Sequence, residues 1–170
     1  KKIIYLIIGI LVGGLLSYFI FNKVETLEKL PKPEVTEGER GMLGIDKNIN
    51  EQTIDKYLGR SDSVYRDMRM LSDPGNYEAI GGDSMLSGTI KGFEIIPYPY
   101  LTKVKELPEA VGKTYEGKTL FTENEDGTYS PNYKESMEFL EMYFPKDKNI
   151  FLMCGGGGYA GMTKKLLVSL

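Results

Sequence analysis

The chain has 170 residues and a net charge of −3, and its charged residues of both signs are interspersed without a basic block. This distribution gives no electrostatic footprint for nucleic acid. There is no histidine, which excludes Ser-His-Asp and Cys-His nucleophile arrangements and every His-based metal site. The one cysteine, Cys154, excludes an intrachain disulfide and a Cys-rich zinc site.

The first segment of the chain is apolar. Residues 3–21 (IIYLIIGILVGGLLSYFIF) carry no charge and are long enough to cross a bilayer, which takes about 20 residues. Lys1 and Lys2 precede them, so the positive-inside rule predicts a cytoplasmic N-terminus. A removable signal peptide is the alternative, but it would have a shorter apolar stretch and an A-x-A-like cleavage site. We therefore expect residues 1–22 to be an uncleaved transmembrane anchor in the cell membrane, with the rest of the chain outside the cell.

The anchor is followed by a polar segment and then by globular sequence. Residues 23–41 are polar and contain Pro31 and Pro33, which is typical of an extended linker. Residues 42–170 have the apolar patterning of one domain, large enough to bury a core without disulfides.

Secondary-structure elements alternate along this domain. The patterns predict helices at 49–58, 133–143 and 159–170, and a short helix or turn at 77–80. They predict a strand running into a loop at 63–70, strands at 92–98 and 149–153, and a hairpin around Asp126-Gly127. In the strand 149–153 (NIFLM), every residue after Asn149 is apolar, which is typical of a strand buried on both faces. Alternating strands and helices predict an α/β fold with a mostly parallel central sheet flanked by helices.

Cys154 follows that last strand directly and opens a glycine-rich loop. The loop residues are Gly155, Gly156, Gly157, Gly158 and Tyr159. We expect the glycines to curl the backbone through φ values closed to other residues and to bring N–H groups close to the sulfur. The next helix would point its positive end at the same place, which favours the nucleophilic thiolate. The alternative is an inert cysteine beside a glycine-rich turn.

The same loop also satisfies a dinucleotide-binding pattern. Gly156, Gly158 and Gly161 match GxGxxG between a strand and a helix. That motif normally opens its domain and needs an acidic residue about 20 positions further on. Because the chain ends nine residues after Gly161, we do not predict a dinucleotide site.

Three segments together resemble the rhodanese-like family. Members carry a catalytic cysteine loop between a buried strand and a helix, as at 154–159 here. They carry an Asp-x-Arg at the end of an early strand, matched by Asp67-Met68-Arg69. They also carry a Gly-His-Ile-x-Gly-Ala segment before a strand ending in Ile-Pro, matched by residues 88–93 with Thr89 in place of His, and by Ile96-Pro97.

The resemblance implies a rhodanese-like fold and sulfurtransferase chemistry that needs no metal or organic cofactor. Cys154 would be the catalytic residue, residues 155–159 would bind substrate and persulfide, and Asp67 and Arg69 would be a supporting charged pair. The implied partners are a small sulfur donor such as thiosulfate and a thiol or cyanide acceptor. A surface ion pair of little energetic value is the alternative for Asp67 and Arg69.

The sequence also departs from the family. Many catalytic members have a basic residue in the loop, where this chain has glycines and Tyr159, and a phosphatase relative would need an arginine near Tyr159. The segment 113–133 is longer than a minimal member requires, so we expect it to cover the site or to bind a protein partner. The family continues past the active-site helix into another strand, so we expect the final strand to be missing here. A catalytically inactive binding module at the membrane surface and a redox-sensing thiol stay open as alternatives.

Overall fold

The computed structural model describes residues 27–34, 46–105 and 107–170. The predicted transmembrane anchor 1–22 and part of the linker 23–41 lie outside these residues. Within the described ranges, no helix is both long enough and apolar enough to cross a bilayer.

A parallel sheet of three strands lies at the centre of the domain. The strands are β1 (Ser63–Asp67), β2 (Glu94–Ile95) and β5 (Asn149–Met153), in the order β2-β1-β5. Both neighbours of β1 run parallel to it, and five consecutive residues of β1 pair with five of β5. The predicted α/β class with a parallel sheet and helices is therefore confirmed.

The other elements surround this sheet. Strands β3 (Phe121–Glu123) and β4 (Tyr129–Pro131) form an antiparallel hairpin, whose turn contains Gly127 at a φ of 81°. The α-helices are α1 (Tyr98–Leu101), α2 (Ser136–Tyr143) and α3 (Gly158–Ser169), and 3₁₀ helices occur at Ile54–Lys56, Tyr77–Ile80 and Glu109–Val111. The core joins these elements and includes Met68, Tyr98, Leu101, Phe121, Leu140, Phe144 and Leu166.

Several predicted elements are shorter than expected. Strand β1 covers 63–67 of the predicted 63–70, helix α2 covers 136–143 of 133–143, and the two largest differences are at 49–58 and 92–98. Within 49–58, the side chain of Asn50 accepts a hydrogen bond from Gln52 N–H, and the Thr53 hydroxyl donates to Asn48 O. Such local side-chain bonds compete with a helix, and only a 3₁₀ turn forms. The predicted strand 92–98 is reduced to two residues because Gly92 adopts a φ of 93° before it and Pro97 starts helix α1 after it.

Strand β5 has the predicted bounds, but the prediction that it is buried on both faces is wrong. Asn149 is exposed and the other four residues are half-buried. The reason is its place in the sheet, since within the described ranges β5 pairs only with β1. An apolar run therefore occupies an edge position here.

Candidate functional site

Cys154 lies at the carboxyl edge of the parallel sheet, as the sequence predicts. It follows Met153, the last residue of β5, and its thiol is free and half-buried. The N–H of Met68 donates to Met153 O at 2.8 Å, so the chain leaving β1 runs beside Cys154. Ligand sites of open α/β sheets form at this edge.

The glycine loop uses less unusual backbone than the sequence predicts. Among its four glycines, only Gly157 has a left-handed conformation, with φ at 82°. Gly155 and Gly158 lie outside that region, and a Cβ added at either would meet no atom within 4 Å. The expectation that all four glycines need φ values closed to other residues is thus wrong, because one left-handed residue is enough to turn the chain into α3.

The N-terminus of helix α3 begins at the end of this loop. Gly157 is the N-cap residue, and Gly161 N–H donates to its carbonyl oxygen at 2.8 Å. No side chain caps the helix, and the first N–H groups of any α-helix have no partner within the helix. Twelve residues of aligned peptides give this end a partial positive charge four residues from Cys154.

Asp67 and Arg69 form a bidentate ion pair where β1 ends. Arg69 Nε donates to Asp67 Oδ1 at 2.9 Å, and Arg69 Nη2 donates to Asp67 Oδ2 at 2.6 Å. The Asp67 side chain is fully buried and the Arg69 side chain is 30% exposed. A surface pair of little value is therefore the wrong description of these residues.

The ion pair also connects the Asp-x-Arg segment to the segment 88–93, which is another of the three that resemble the family. The Thr89 hydroxyl donates to Asp67 Oδ2 at 2.7 Å, and Arg69 Nη2 donates to Gly88 O at 2.9 Å. Thr89 stands where the family has His, and its hydroxyl still reaches the buried carboxylate. The Asp-x-Arg segment, the Gly88–Thr89 segment and the cysteine loop therefore meet at one edge of the sheet.

The electrostatics of this edge centre on Arg69. Burial would raise the pKa of Asp67, but hydrogen bonds from Arg69 and Thr89 outweigh burial and lower it, so the carboxylate is ionised. The hydrogen bond to Asp67 raises the pKa of Arg69, burial opposes this rise, and a thiolate at Cys154 would add to it. Arg69 Nη1 has no hydrogen-bond partner in the described part of the chain. A cation with unused N–H groups therefore lies on the chain segment that runs beside Cys154.

Tyr159, on the first turn of α3, is tied to a segment distant in sequence. Its hydroxyl donates to Asp73 Oδ2 at 2.8 Å and lies 2.5 Å from the Tyr77 hydroxyl. Because each hydroxyl has one proton, Tyr77 is the donor to Tyr159. Burial raises the pKa of both phenols, so both are neutral at pH 7. The Tyr159 ring also stacks on Tyr98 at 5.7 Å, which fixes the start of α3.

Asp73 and Tyr77, which bond the Tyr159 hydroxyl, were not among the site residues that the sequence indicated. Asp73-Pro74-Gly75 is recognisable as a turn, and Asp73 Oδ1 does accept from Gly75 N–H at 2.9 Å. The second oxygen of Asp73 bonds a residue 86 positions away, which no local pattern indicates. Tyr77 is a residue of the predicted short helix or turn, and its partner is equally remote.

Within the described residues, no three His, Cys, Asp or Glu side chains come together as a group that could hold a metal ion. Comparison with models of known protein families, with curated protein sequences and with solved structures gives no significant match. The likeness to the rhodanese-like family rests on the residues of this chain.

Proposed function

We propose that this protein is a rhodanese-like sulfurtransferase in which Cys154 carries a persulfide. The observation that supports this most directly is the surroundings of the thiol. A free cysteine lies at the carboxyl end of β5, a helix N-terminus follows it, and Arg69 lies on the segment that runs beside it. Both positive features stabilise a thiolate or a bound oxyanion. They do so without histidine, which the chain lacks.

The proposed reaction has two balanced steps. The Cys154 thiolate attacks the outer sulfur of thiosulfate, a bond forms between the two sulfurs, and the S–S bond of thiosulfate breaks. Sulfite leaves with that electron pair, and Cys154 becomes a persulfide anion. An acceptor nucleophile, cyanide or a thiolate, then attacks the terminal sulfur; cyanide leaves as thiocyanate and Cys154 returns to the thiolate.

Arg69 has the charge that the loop itself lacks. The loop offers glycines and Tyr159, so an anionic donor finds no basic side chain there. Arg69 Nη1 is uncommitted, while Nε and Nη2 are held by Asp67 and Gly88. Asp67 therefore acts as a positioning residue that orients the guanidinium toward a bound anion. The loop amides and the helix end would stabilise the negative sulfur in each step.

Thiocyanate formation from thiosulfate and cyanide tests this proposal. The full chain in detergent micelles should turn over, and Cys154→Ser should not. Arg69→Gln should raise KM for thiosulfate, whereas Lys91→Gln, which removes an exposed charge of the same sign, should not. Turnover that survives Cys154→Ser would exclude the mechanism.

A substitution at Gly155 should improve activity, and the site can accept a side chain because a Cβ added there would meet no atom within 4 Å. Gly155→Arg adds the basic side chain that many catalytic members have, and it should lower KM for thiosulfate. Gly155→Gln, of similar length and without charge, is the matched control. Equal KM values for the two variants would show that charge at this position does not hold the donor.

The second candidate is a binding module without turnover, and the exposed loop favours it. Gly155 and Gly156 are exposed and carry no chemistry of their own, so an uncharged loop could serve as a contact surface for a protein partner, together with segment 113–133. A folded protein with a free thiol and no thiocyanate formation from any small donor would favour this candidate.

We further propose that residues 1–22 anchor the domain at the outer face of the cell membrane. The support is the uncharged run 3–21 after two lysines. Cys154 is the only thiol, so a membrane-impermeant maleimide applied to intact cells should label it. Labelling only after the membrane is permeabilised would contradict this topology.

A further inference from the structure

A cleft separate from Cys154 lies between the chain after α1 and the segment leading into the β3–β4 hairpin. Its volume is about 550 Å³, within the range of small-molecule sites, roughly 300–1,000 Å³. Phe121, which is fully buried, forms part of its floor. None of the loop residues 154–159 lines it.

Several polar groups of the cleft are already engaged. Lys105 pairs with Glu123 at 3.4 Å, and Lys165 bonds the same carboxylate at 2.6 Å. The Thr122 hydroxyl donates to Asn132 Oδ1, and Asn132 Nδ2 donates to Thr119 O. These contacts fix the walls of the cleft and leave those groups little capacity for a ligand.

The groups that are not engaged are mostly donors. In the described part of the chain, the side chains of Thr102, Lys103, Lys118 and Tyr133 have no hydrogen-bond or ion-pair partner. Glu116 is the one carboxylate left unengaged among the described residues that line the cleft, and it is exposed. Two free ammonium groups against one exposed carboxylate give the open positions of the cleft a positive balance.

Thr102 is the residue that indicates a binding site rather than an incidental surface depression. The residue is 1% exposed, and among the described residues its hydroxyl makes no hydrogen bond. Its oxygen is not one of the fully buried atoms without a partner, so the hydroxyl faces the open space of the cleft. A ligand oxygen in the cleft would satisfy this hydroxyl.

We propose that this cleft binds a metabolite-sized organic anion through a carboxylate or phosphate group. Lys103 and Lys118 supply charge, and the hydroxyls of Thr102 and Tyr133 supply directed hydrogen bonds. The apolar floor at Phe121 accommodates the carbon skeleton. The site does not depend on Cys154, so it holds whether or not the protein transfers sulfur.

Calorimetric titration of the full chain in micelles tests this, with citrate as the carboxylate probe and pyrophosphate as the phosphate probe. We expect saturable binding of at least one probe below about 1 mM, the weak end of the usual range for metabolites. Lys103→Gln and Lys118→Gln should each weaken it about tenfold. Lys164→Gln, an exposed lysine outside the cleft, should leave the affinity unchanged.

Thr102→Val separates binding from folding. It removes the hydroxyl and keeps the shape, so the melting temperature should not fall while the affinity drops severalfold. The proposal is overturned if neither anion binds up to about 1 mM, or if Lys164→Gln weakens binding as much as the two cleft variants do. It is equally overturned if Thr102→Val lowers the melting temperature and leaves the affinity unchanged.

Discussion

Asp67→Asn tests how the supporting pair holds the site. Asp67 Oδ1 accepts from the backbone N–H and Nε of Arg69, at 3.1 and 2.9 Å. Oδ2 accepts from Arg69 Nη2 and from the Thr89 hydroxyl, at 2.6 and 2.7 Å. Asparagine has nearly the same shape, but it has one acceptor oxygen instead of two and no charge.

The expected cost follows from which contacts survive. The amide oxygen can take over the bonds of Oδ1, and the Thr89 hydroxyl can rotate to accept from the amide. The bond from Arg69 Nη2 is then lost, and a charge-assisted bond contributes about 1.5–3 kcal/mol. Breaking a buried ion pair costs about 3–5 kcal/mol. The cost is lower here because the Arg69 side chain is 30% exposed, so water can bond the N–H group that loses its partner. We therefore expect the free energy of unfolding to fall by about 2–3 kcal/mol.

Thermal unfolding of the full chain in micelles, followed by near-UV circular dichroism of the tyrosines, measures this change. A loss of 2–3 kcal/mol corresponds to a melting temperature lower by about 10 °C for a domain of this size. Asp55→Asn is the control, because Asp55 is exposed and a surface change should stay within about 0.5 kcal/mol. Equal melting temperatures for the two variants would refute the argument.

The same pair predicts a pH dependence. Hydrogen bonds lower the pKa of Asp67 in the folded protein despite its burial, so the folded state favours the ionised form. This stabilisation is complete above the pKa of an unfolded Asp, about 3.9, and is lost as the pH falls through the lower folded value. The difference between wild type and Asp67→Asn should therefore be constant near neutrality and shrink below about pH 4.

Three further substitutions have clear expected outcomes. Gly157→Ala places a Cβ at a φ of 82° and should cost about 1–2 kcal/mol in urea unfolding, while Gly155→Ala, outside that region, should not. Leu166→Ala empties a fully buried position and should cost about 2–5 kcal/mol, whereas Val168→Ala, 79% exposed, is the control; similar losses would contradict the core described here. Tyr159→Phe removes the hydroxyl that bonds Asp73 and should cost about 1–3 kcal/mol; unchanged stability would show that this tie does not hold the start of α3.

The sequence predicted best the elements whose limits are set by local chemistry. The run 149–153 gave the bounds of β5, Asp126-Gly127 gave the hairpin, and the residues after the loop gave α3 to within a residue at each end. The helix expected at 49–58 did not form, because Asn50 and Thr53 bond their neighbours instead. The burial of β5 was overestimated because composition does not reveal which strand lies at an edge.

The residues of the candidate site also fall into those that local sequence patterns indicate and those that they do not. Cys154, Asp67 and Arg69 lie in recognisable short motifs, and the structure brings their segments together. The tie from Tyr159 to Asp73 and Tyr77 spans more than 80 positions, so only the tertiary structure reveals it. It was likewise not predictable that Nη1 of Arg69 has no partner among the described residues. That depends on which nitrogens of the guanidinium group bond Asp67 and Gly88.

The most direct test of the central proposal is the mass of the intact protein after incubation with thiosulfate. If Cys154 accepts sulfane sulfur, the wild-type chain gains the mass of one sulfur atom, Cys154→Ser gains nothing, and added cyanide returns the wild-type mass to its starting value. If a folded wild-type chain with a free thiol gains no sulfur, or if Cys154→Ser gains it equally, Cys154 does not carry the persulfide and the proposed function is wrong.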